Sequence, residues 1–402
     1  MRIACQAGGE KMEISVERWK RTAKKLYLLG HRESQLLLGP AGIGKSESVR
    51  QLAEELAKDL GLQYEEYDET KISEYLNNPG KYFLLVDIRL TEVEPADLIG
   101  IPRDVNGHVE YKPLGWAVCL NKNPGILFLD EITNVQRLDV QSTMYKLLLE
   151  RRVGYIPLHK DVLVIAAGNR PEDASIANAL PAPAINRVMK FSIKAPKLEE
   201  WIEYMHRNYD SWDYRIAAFL KKFGHYYNQK AEEETLEQFA TPRKWTRLAL
   251  ISHKISEEDL DCIAEAEVGP EAAVHLCGFL RIRIPEIDVL LRKPERFFEL
   301  DDGERYFAVS MIASEISQKI KTDNKETLGL SLEVDEKTKK MLQKYVEFIN
   351  ALFERDREML VILIFLIPRS QRAKLALFLE DVNPEITEFM FELYKDSVSL
   401  KR

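Results

Sequence analysis

The amino-acid sequence predicts an α/β protein in its first half and an all-helical one in its second. Three observations carry that prediction. Short apolar runs alternate with stretches of helical spacing up to about residue 195, the pattern of a parallel sheet sandwiched by helices. A glycine-rich octet, Gly39-Pro40-Ala41-Gly42-Ile43-Gly44-Lys45-Ser46, stands between one such run and one such helix. From Pro196 onward strand patterns largely vanish, and aromatic residues recur at helical spacing.

The chain opens with a helical lead-in over residues 1–30, its periodic pattern beginning near Val16. Arg2, Glu10 and Lys11 interrupt any long apolar stretch there, so no signal peptide is expected, and Met12 is an alternative start. The first core strand is Gln35–Leu38, and Ser46–Ala57 follows the octet as a helix. The octet fits G-x-x-x-x-G-K-[ST] in the strand–loop–helix setting that the motif requires. Its glycines let backbone N–H groups curl around a polyphosphate, and the helix N-terminus adds positive potential. Lys45 can reach the β- and γ-phosphates, and Ser46 can offer its hydroxyl to Mg²⁺. These residues predict a nucleoside triphosphate, ATP, as ligand.

Further strands are expected at Gln63–Glu66, Phe83–Ile88, Ile126–Asp130 and Val162–Ala166. The run Ile126–Leu129 is apolar throughout and leads straight into Asp130 and Glu131, as in a strand buried on both faces. Asp130 is expected to hold Mg²⁺ through its water shell, and Glu131 to orient and deprotonate a water. Hydrolysis follows from that pairing, beyond binding alone. The strand Val162–Ala166 runs on to Asn169, an amide at a strand tip that can contact the γ-phosphate or the water. Arg187 follows a stretch containing Pro181 and Pro183, and Arg243 lies in Thr241-Pro242-Arg243-Lys244-Trp245.

The ordered motifs GPAGIGKS, LFLDE, AAGNRPEDAS, LPAPAINRV and FATPRKW resemble those of AAA+ ATPases, and within them the MoxR-like group. The resemblance covers about residues 30–250. It implies a P-loop AAA+ core over 31–195 and a helical lid over 196–265; residues 266–402, where the resemblance fades, read as a further helical domain. It also implies that Asn169 is sensor 1, that Arg243 is the lid arginine of sensor 2, and that Arg187 is the arginine finger. Arg151 and Arg152 are alternative fingers. A finger acting on a neighbouring subunit implies a ring, and the family favours a hexamer.

Two insertions decorate the core. Val105-Asn106-Gly107-His108 within 91–115 is a hairpin signal, since Asn-Gly between extended residues matches a tight turn. A second hairpin is expected over 152–159, around Gly154. They resemble the helix-2 insert and the pre-sensor-1 insertion of the MoxR branch, which in related motors face the pore. In the second half, Trp201, Tyr204, Trp212, Tyr214, Phe219 and Phe223 are expected to form the core of the lid. Glu232–Glu234 reads as a solvated loop, Thr322–Thr327 as a polar connection, and Met359–Leu366 as a buried helix.

Composition narrows the function classes. No apolar run is long enough for a membrane span. Cys5, Cys119, Cys262 and Cys277 lack metal-ligand spacing, which fits reduced thiols in a cytoplasmic protein. The MoxR resemblance implies a remodeller of a protein client, working with a separate von Willebrand factor A-domain partner. Two other readings stay open, a nucleic-acid translocase or restriction-type motor and a nucleotide-gated scaffold. The chain has 57 basic against 65 acidic residues, net −8, which argues against phosphate tracking.

Overall fold

A computed structural model of the chain describes residues 12–173, 185–229, 238–320 and 336–399. They fall into two compact units, the first running to Pro196 and the second beginning at Lys197.

The first unit is built on a seven-stranded sheet in which every pairing is parallel. Its strands are β1 (Glu13–Ser15), β2 (Gln35–Leu38), β3 (Gln63–Glu66), β4 (Tyr82–Arg89), β7 (Gly125–Asp130), β10 (Val162–Gly168) and β11 (Met189–Lys194). They lie in the order β1-β11-β2-β10-β7-β4-β3. Two antiparallel hairpins stand apart from the sheet, β5 (Ile101–Val105) with β6 (His108–Lys112), and β8 (Arg152–Val153) with β9 (Ile156–Pro157). The helices are α1 (Val16–Leu28), α2 (Lys45–Asp59), α3 (Ile72–Asn77), α4 (Pro95–Ile99), α5 (Gly115–Lys122) and α6 (Leu138–Glu150).

The apolar runs are continuous because the sheet is covered on both faces. Leu37, Phe83, Leu85, Ile126, Phe128, Leu163 and Ile165 pack with Trp19 of α1 and Leu52 and Leu56 of α2. Their neighbours Leu36, Leu38, Leu84, Val86, Leu127, Leu129 and Val164 pack on the other face with Trp116, Leu120, Met144 and Leu147. Phe128 is 1% exposed, so its truncation to alanine should cost about 3–5 kcal/mol. The α1–α2 contact is closed by charge, with Lys20 and Lys24 pairing with Glu55, and Lys24 also with Asp59.

Five expected strands are present, three of them extended by one or two residues at an end. The structure adds β1 and β11, which pair with each other and build the sheet outward from β2. β1 therefore precedes the helix of the lead-in, which begins at Val16.

The second unit contains only helices among its described residues, from Leu198–Asn208 to Pro384–Ser399. One apolar cluster runs through it from Trp201 to Met390 and includes Trp212 and Phe219, with Tyr204, Tyr214 and Phe223 packed against it. Met359, Leu360, Ile362, Leu363, Ile364 and Leu366 of helix Arg357–Leu366 are all buried in that cluster, as the sequence predicts. Arg372 is 3% exposed and is satisfied by carbonyl oxygens of Ile367 and Phe365 and by the Glu203 carboxylate. Cys119 and Cys277 are buried free thiols, while Cys262 is exposed, so burial does not extend to every cysteine. Cys5, Glu232–Glu234 and Thr322–Thr327 lie outside the described residues. Among the described residues no helix is long and apolar enough to cross a membrane.

Candidate nucleotide-binding and hydrolysis site

The site forms where β2, β7 and β10 end together. β2 stops at Leu38, and the Gly39 N–H donates to the Gly168 carbonyl at 3.3 Å, tying the loop to the tip of β10. Gly39 has no room for a side chain, since a Cβ there would stand 2.3 Å from the Ile193 carbonyl oxygen. Pro40 and Ala41 carry the chain outward, and Ile43 (2% exposed) turns back into the core and pins the loop. Gly42 (φ 72°) and Gly44 (φ 90°) take the left-handed conformation that glycine adopts without penalty. Gly44 also caps α2, whose first-turn N–H groups have no partner within the helix. That is the geometry of an anion cradle.

Lys45 is 8% exposed, and its ammonium donates to the carbonyls of Gly39 (2.6 Å) and Pro40 (2.8 Å) and to Asn169 Oδ1 (3.2 Å). One residue on, the Ser46 hydroxyl donates to Asp130 Oδ2 at 2.7 Å. The other Asp130 oxygen accepts the Glu131 N–H at 2.9 Å. Glu131 has φ 60°, a left-handed backbone uncommon for a residue with a side chain. The turn swings its carboxylate out of the strand direction toward Thr91, whose hydroxyl donates to Oε2 at 2.9 Å. Arg89 Nε lies 3.8 Å from Glu131 Oε1, and its Nη1 pairs with Glu92 at 2.7 Å. Partial desolvation and the Asp130 carboxylate push Asp87, still a solvent-exposed residue, up to about 6.

Asn169 sits one residue beyond β10, its backbone N–H on Thr133 Oγ1 at 2.9 Å. Arg170, beside it, points away into carboxylates of Glu13 and Asp173, bracing β1 against the loop after β10.

The site therefore brings Lys45, Ser46, Asp130, Glu131 and Asn169 together. Arg187 is exposed in the turn before β11. Arg151 is directed inward, its guanidinium donating to the carbonyls of Arg32 (2.9 Å), Lys160 (3.3 Å) and Val162. Burial and the neighbouring Arg32 lower its pKa. A side chain so engaged in its own subunit is a poor trans-acting group. Arg152 is exposed and donates to the Tyr155 carbonyl at 2.9 Å. Arg243 belongs to the second unit, exposed on the first turn of helix Pro242–Ile251. Pro181 and Pro183 lie outside the described residues.

Ser46 Oγ and the Asp130 carboxylate are hard oxygen donors 2.7 Å apart, a set that suits Mg²⁺. With the glycine cradle and the buried Lys45 ammonium beside it, the residues fit a magnesium–nucleotide.

Residues 35–192 match the model of the ATPase family associated with various cellular activities (AAA). The chain carries an AAA ATPase domain. Its parallel sheet flanked by helices, followed by a helical region, is the AAA+ α/β arrangement with a helical lid. Among solved structures, the chain is similar to the ORC1 protein of Aeropyrum pernix in complex with DNA (15% identity, 87% of this chain and 86% of that one, TM-score 0.35). It is also similar to the Aeropyrum pernix ORC2 protein (12% identity, 92% and 97%, TM-score 0.35). A Thermotoga maritima RuvB mutant matches at 15% identity over 75% and 80%, with a TM-score of 0.29. No curated protein matches the chain.

The sequence reading missed Arg89, Thr91 and Thr133 as neighbours of the AAA domain's acids. Arg89 stands in register with Asp130 on the adjacent strand, a signal available once β4 and β7 are paired. Thr91 and Thr133 had no signal, because their contacts depend on the left-handed turn at Glu131.

Proposed function

We propose that this protein is an ATP-hydrolysing, magnesium-dependent motor of MoxR type. In this reading it remodels or activates a protein client as a hexameric ring, with a von Willebrand factor A-domain protein as partner. The observation that carries the hydrolytic part is the meeting of Lys45, the Ser46–Asp130 pair, Glu131 and Asn169 at one glycine cradle. The MoxR assignment, the client and the partner rest on the resemblance of AAGNRPEDAS and TPRKW.

The cradle N–H groups of Gly39–Ser46 and Lys45 hold the phosphates, and Lys45 exchanges its carbonyl partners for phosphate oxygens. Ser46 and Asp130 hold the cation, which when bound neutralises charge on the phosphate oxygens. Glu131 orients the attacking water and accepts its proton, and Asn169 contacts the γ-phosphate or that water. Release of Glu131 from Thr91 precedes that step, since one Oε is occupied by the threonine hydroxyl. Arg187 serves the neighbouring subunit's site as the finger, with exposed Arg152 as the alternative. Arg243 acts as sensor 2 from a lid over 196–265, and residues 266–402 form the helical domain that selects partners.

The test compares three proteins. Wild type should hydrolyse ATP, Lys45→Ala should lose nucleotide binding, and Glu131→Gln should bind without turnover. Glu131→Gln, loaded with ATP and treated with nuclease in the native host, should then retain a protein client. Nucleic acid protected in its place, with no protein, would overturn the remodeller reading in favour of a nucleic-acid motor. Hydrolysis at background in concentrated wild type would leave a nucleotide-gated scaffold.

A further inference from the structure

We propose that Thr133 is the positioning residue that holds Asn169 at a fixed distance from Glu131; the proposal rests on the hydrolytic reading of those two side chains. The parallel pairing of β7 with β10 ends at Leu129 and Ala166. Beyond that point the ladder no longer ties the two tips together, yet both groups of interest, Glu131 and Asn169, lie past it. Thr133 supplies the missing rung. Its hydroxyl oxygen accepts the Asn169 backbone N–H at 2.9 Å, and the side chain is 2% exposed.

The turn carrying Thr133 is itself rigidly set. Glu131 enters it with a left-handed backbone, the Asn134 N–H closes it on the Glu131 carbonyl at 2.9 Å, and Ile132 and Val135 bury their side chains on either side. A displacement of Asn169 relative to Thr133 is therefore a displacement relative to Glu131. Gly168 makes the approach possible. A Cβ at that position would lie 2.7 Å from Thr133 Oγ1, 2.8 Å from its Cγ2 and 3.1 Å from Ile132 Cγ2.

The side chain of Asn169 has a second tether, the 3.2 Å bond from Lys45 Nζ. Lys45 gives up that bond when it turns to a phosphate. The backbone anchor on Thr133 is then what keeps the amide in place during turnover. Thr133 touches neither nucleotide cradle nor reacting atoms, so its effect belongs in the rate and not in ATP affinity.

Thr133→Val removes the acceptor with little change of shape, and Thr133→Ser retains it. Thr133→Val should lower kcat by roughly 10²-fold, the scale of an ångström-sized misplacement. KM for ATP and nucleotide affinity should stay within about twofold of wild type, since the glycine cradle, Lys45 and the Ser46–Asp130 pair are untouched. Thr133→Ser should restore kcat to within about tenfold of wild type, at a scale well inside that loss. Gly168→Ala, which pushes the same two tips apart from the strand side, should reproduce the kcat loss and provides the second arm if Thr133→Val does not fold. Unchanged kcat in both Thr133→Val and Gly168→Ala would overturn the proposal, as would a Thr133→Ser protein no better than Thr133→Val. A fall in affinity parallel to the fall in rate would also overturn it. Full turnover by Glu131→Gln would instead overturn the hydrolytic reading itself, a result separable from all of these.

Discussion

Acidification should destabilise the second unit through one buried ring. His206 packs against Trp212 and Tyr214, at ring-centroid distances of 5.1 and 5.3 Å, and its Nδ1 lies 3.4 Å from the Tyr214 hydroxyl. Burial, with the nearby Arg372 cation, pulls its pKa from 6.5 down to about 3. The unfolded chain thus takes up a proton near pH 6.5 that the folded chain refuses until about pH 3. Stability from this group is complete above 6.5 and falls as pH drops through the interval between the two values. At pH 5 the deficit works out at about 2 kcal/mol, from the ratio of the two protonation polynomials. Urea unfolding at pH 7 and pH 5, followed by tryptophan fluorescence, compares wild type with His206→Phe. Only the pH dependence is read, because the larger ring alters absolute stability. Wild type should lose about 2 kcal/mol more than the variant over that interval. Equal losses would refute the reasoning and place the acid sensitivity elsewhere.

Other perturbations follow from the same packing. Gly39→Ala should destabilise the first unit by about 1–3 kcal/mol or more, because the clashing atom is the Ile193 backbone oxygen and cannot swing aside; an unchanged melting temperature would contradict it. Arg372→Ala should cost about 3–5 kcal/mol, leaving Glu203 and two carbonyls without their donor in a buried setting, as denaturant titration would measure. Arg187→Ala should bind ATP normally but fail to hydrolyse it, and mixing it with Glu131→Gln should restore activity if the finger acts between subunits; no restoration would leave the between-subunit assignment unsupported. Arg151→Ala should show its effect in melting temperature, since three carbonyls lose their donor.

The nucleotide site was legible wherever chemistry and local spacing coincide. The octet at Gly39–Ser46, the apolar run into Asp130 and the strand leading to Asn169 each advertise themselves within a few residues. Four of the five expected strands, β2, β4, β7 and β10, were legible for the same reason, burial on both faces, whereas β3 is an edge strand with exposed ends. β11 escaped although Met189, Phe191 and Ile193 alternate with Lys190, Ser192 and Lys194. Its period-two signal is that of a half-buried strand, easily overlooked beside the apolar runs. β1 has three residues, too few for any period to register. Arg151 illustrates the opposite limit. It is an alternative finger beside Arg152 in the sequence, but a left-handed turn (φ 53°) sends it inward to carbonyls of Arg32 and Val162. Nothing local encodes that direction.

The strand order has a consequence for how the protein comes off the ribosome. Leu36, in the strand that launches the cradle, finds its two neighbours in Ala166 and Lys190, and Ile14 finds its one neighbour in Ile193. At ~5–20 residues added per second, the nascent Leu36–Leu38 strand waits on the order of ten seconds before either flank exists. Through that interval three leucines and an unpaired backbone are open to wrong partners. The cradle that binds nucleotide is thus begun early in translation and completed only after Ile193 has emerged, so a transcript truncated between these points yields the motif without the site.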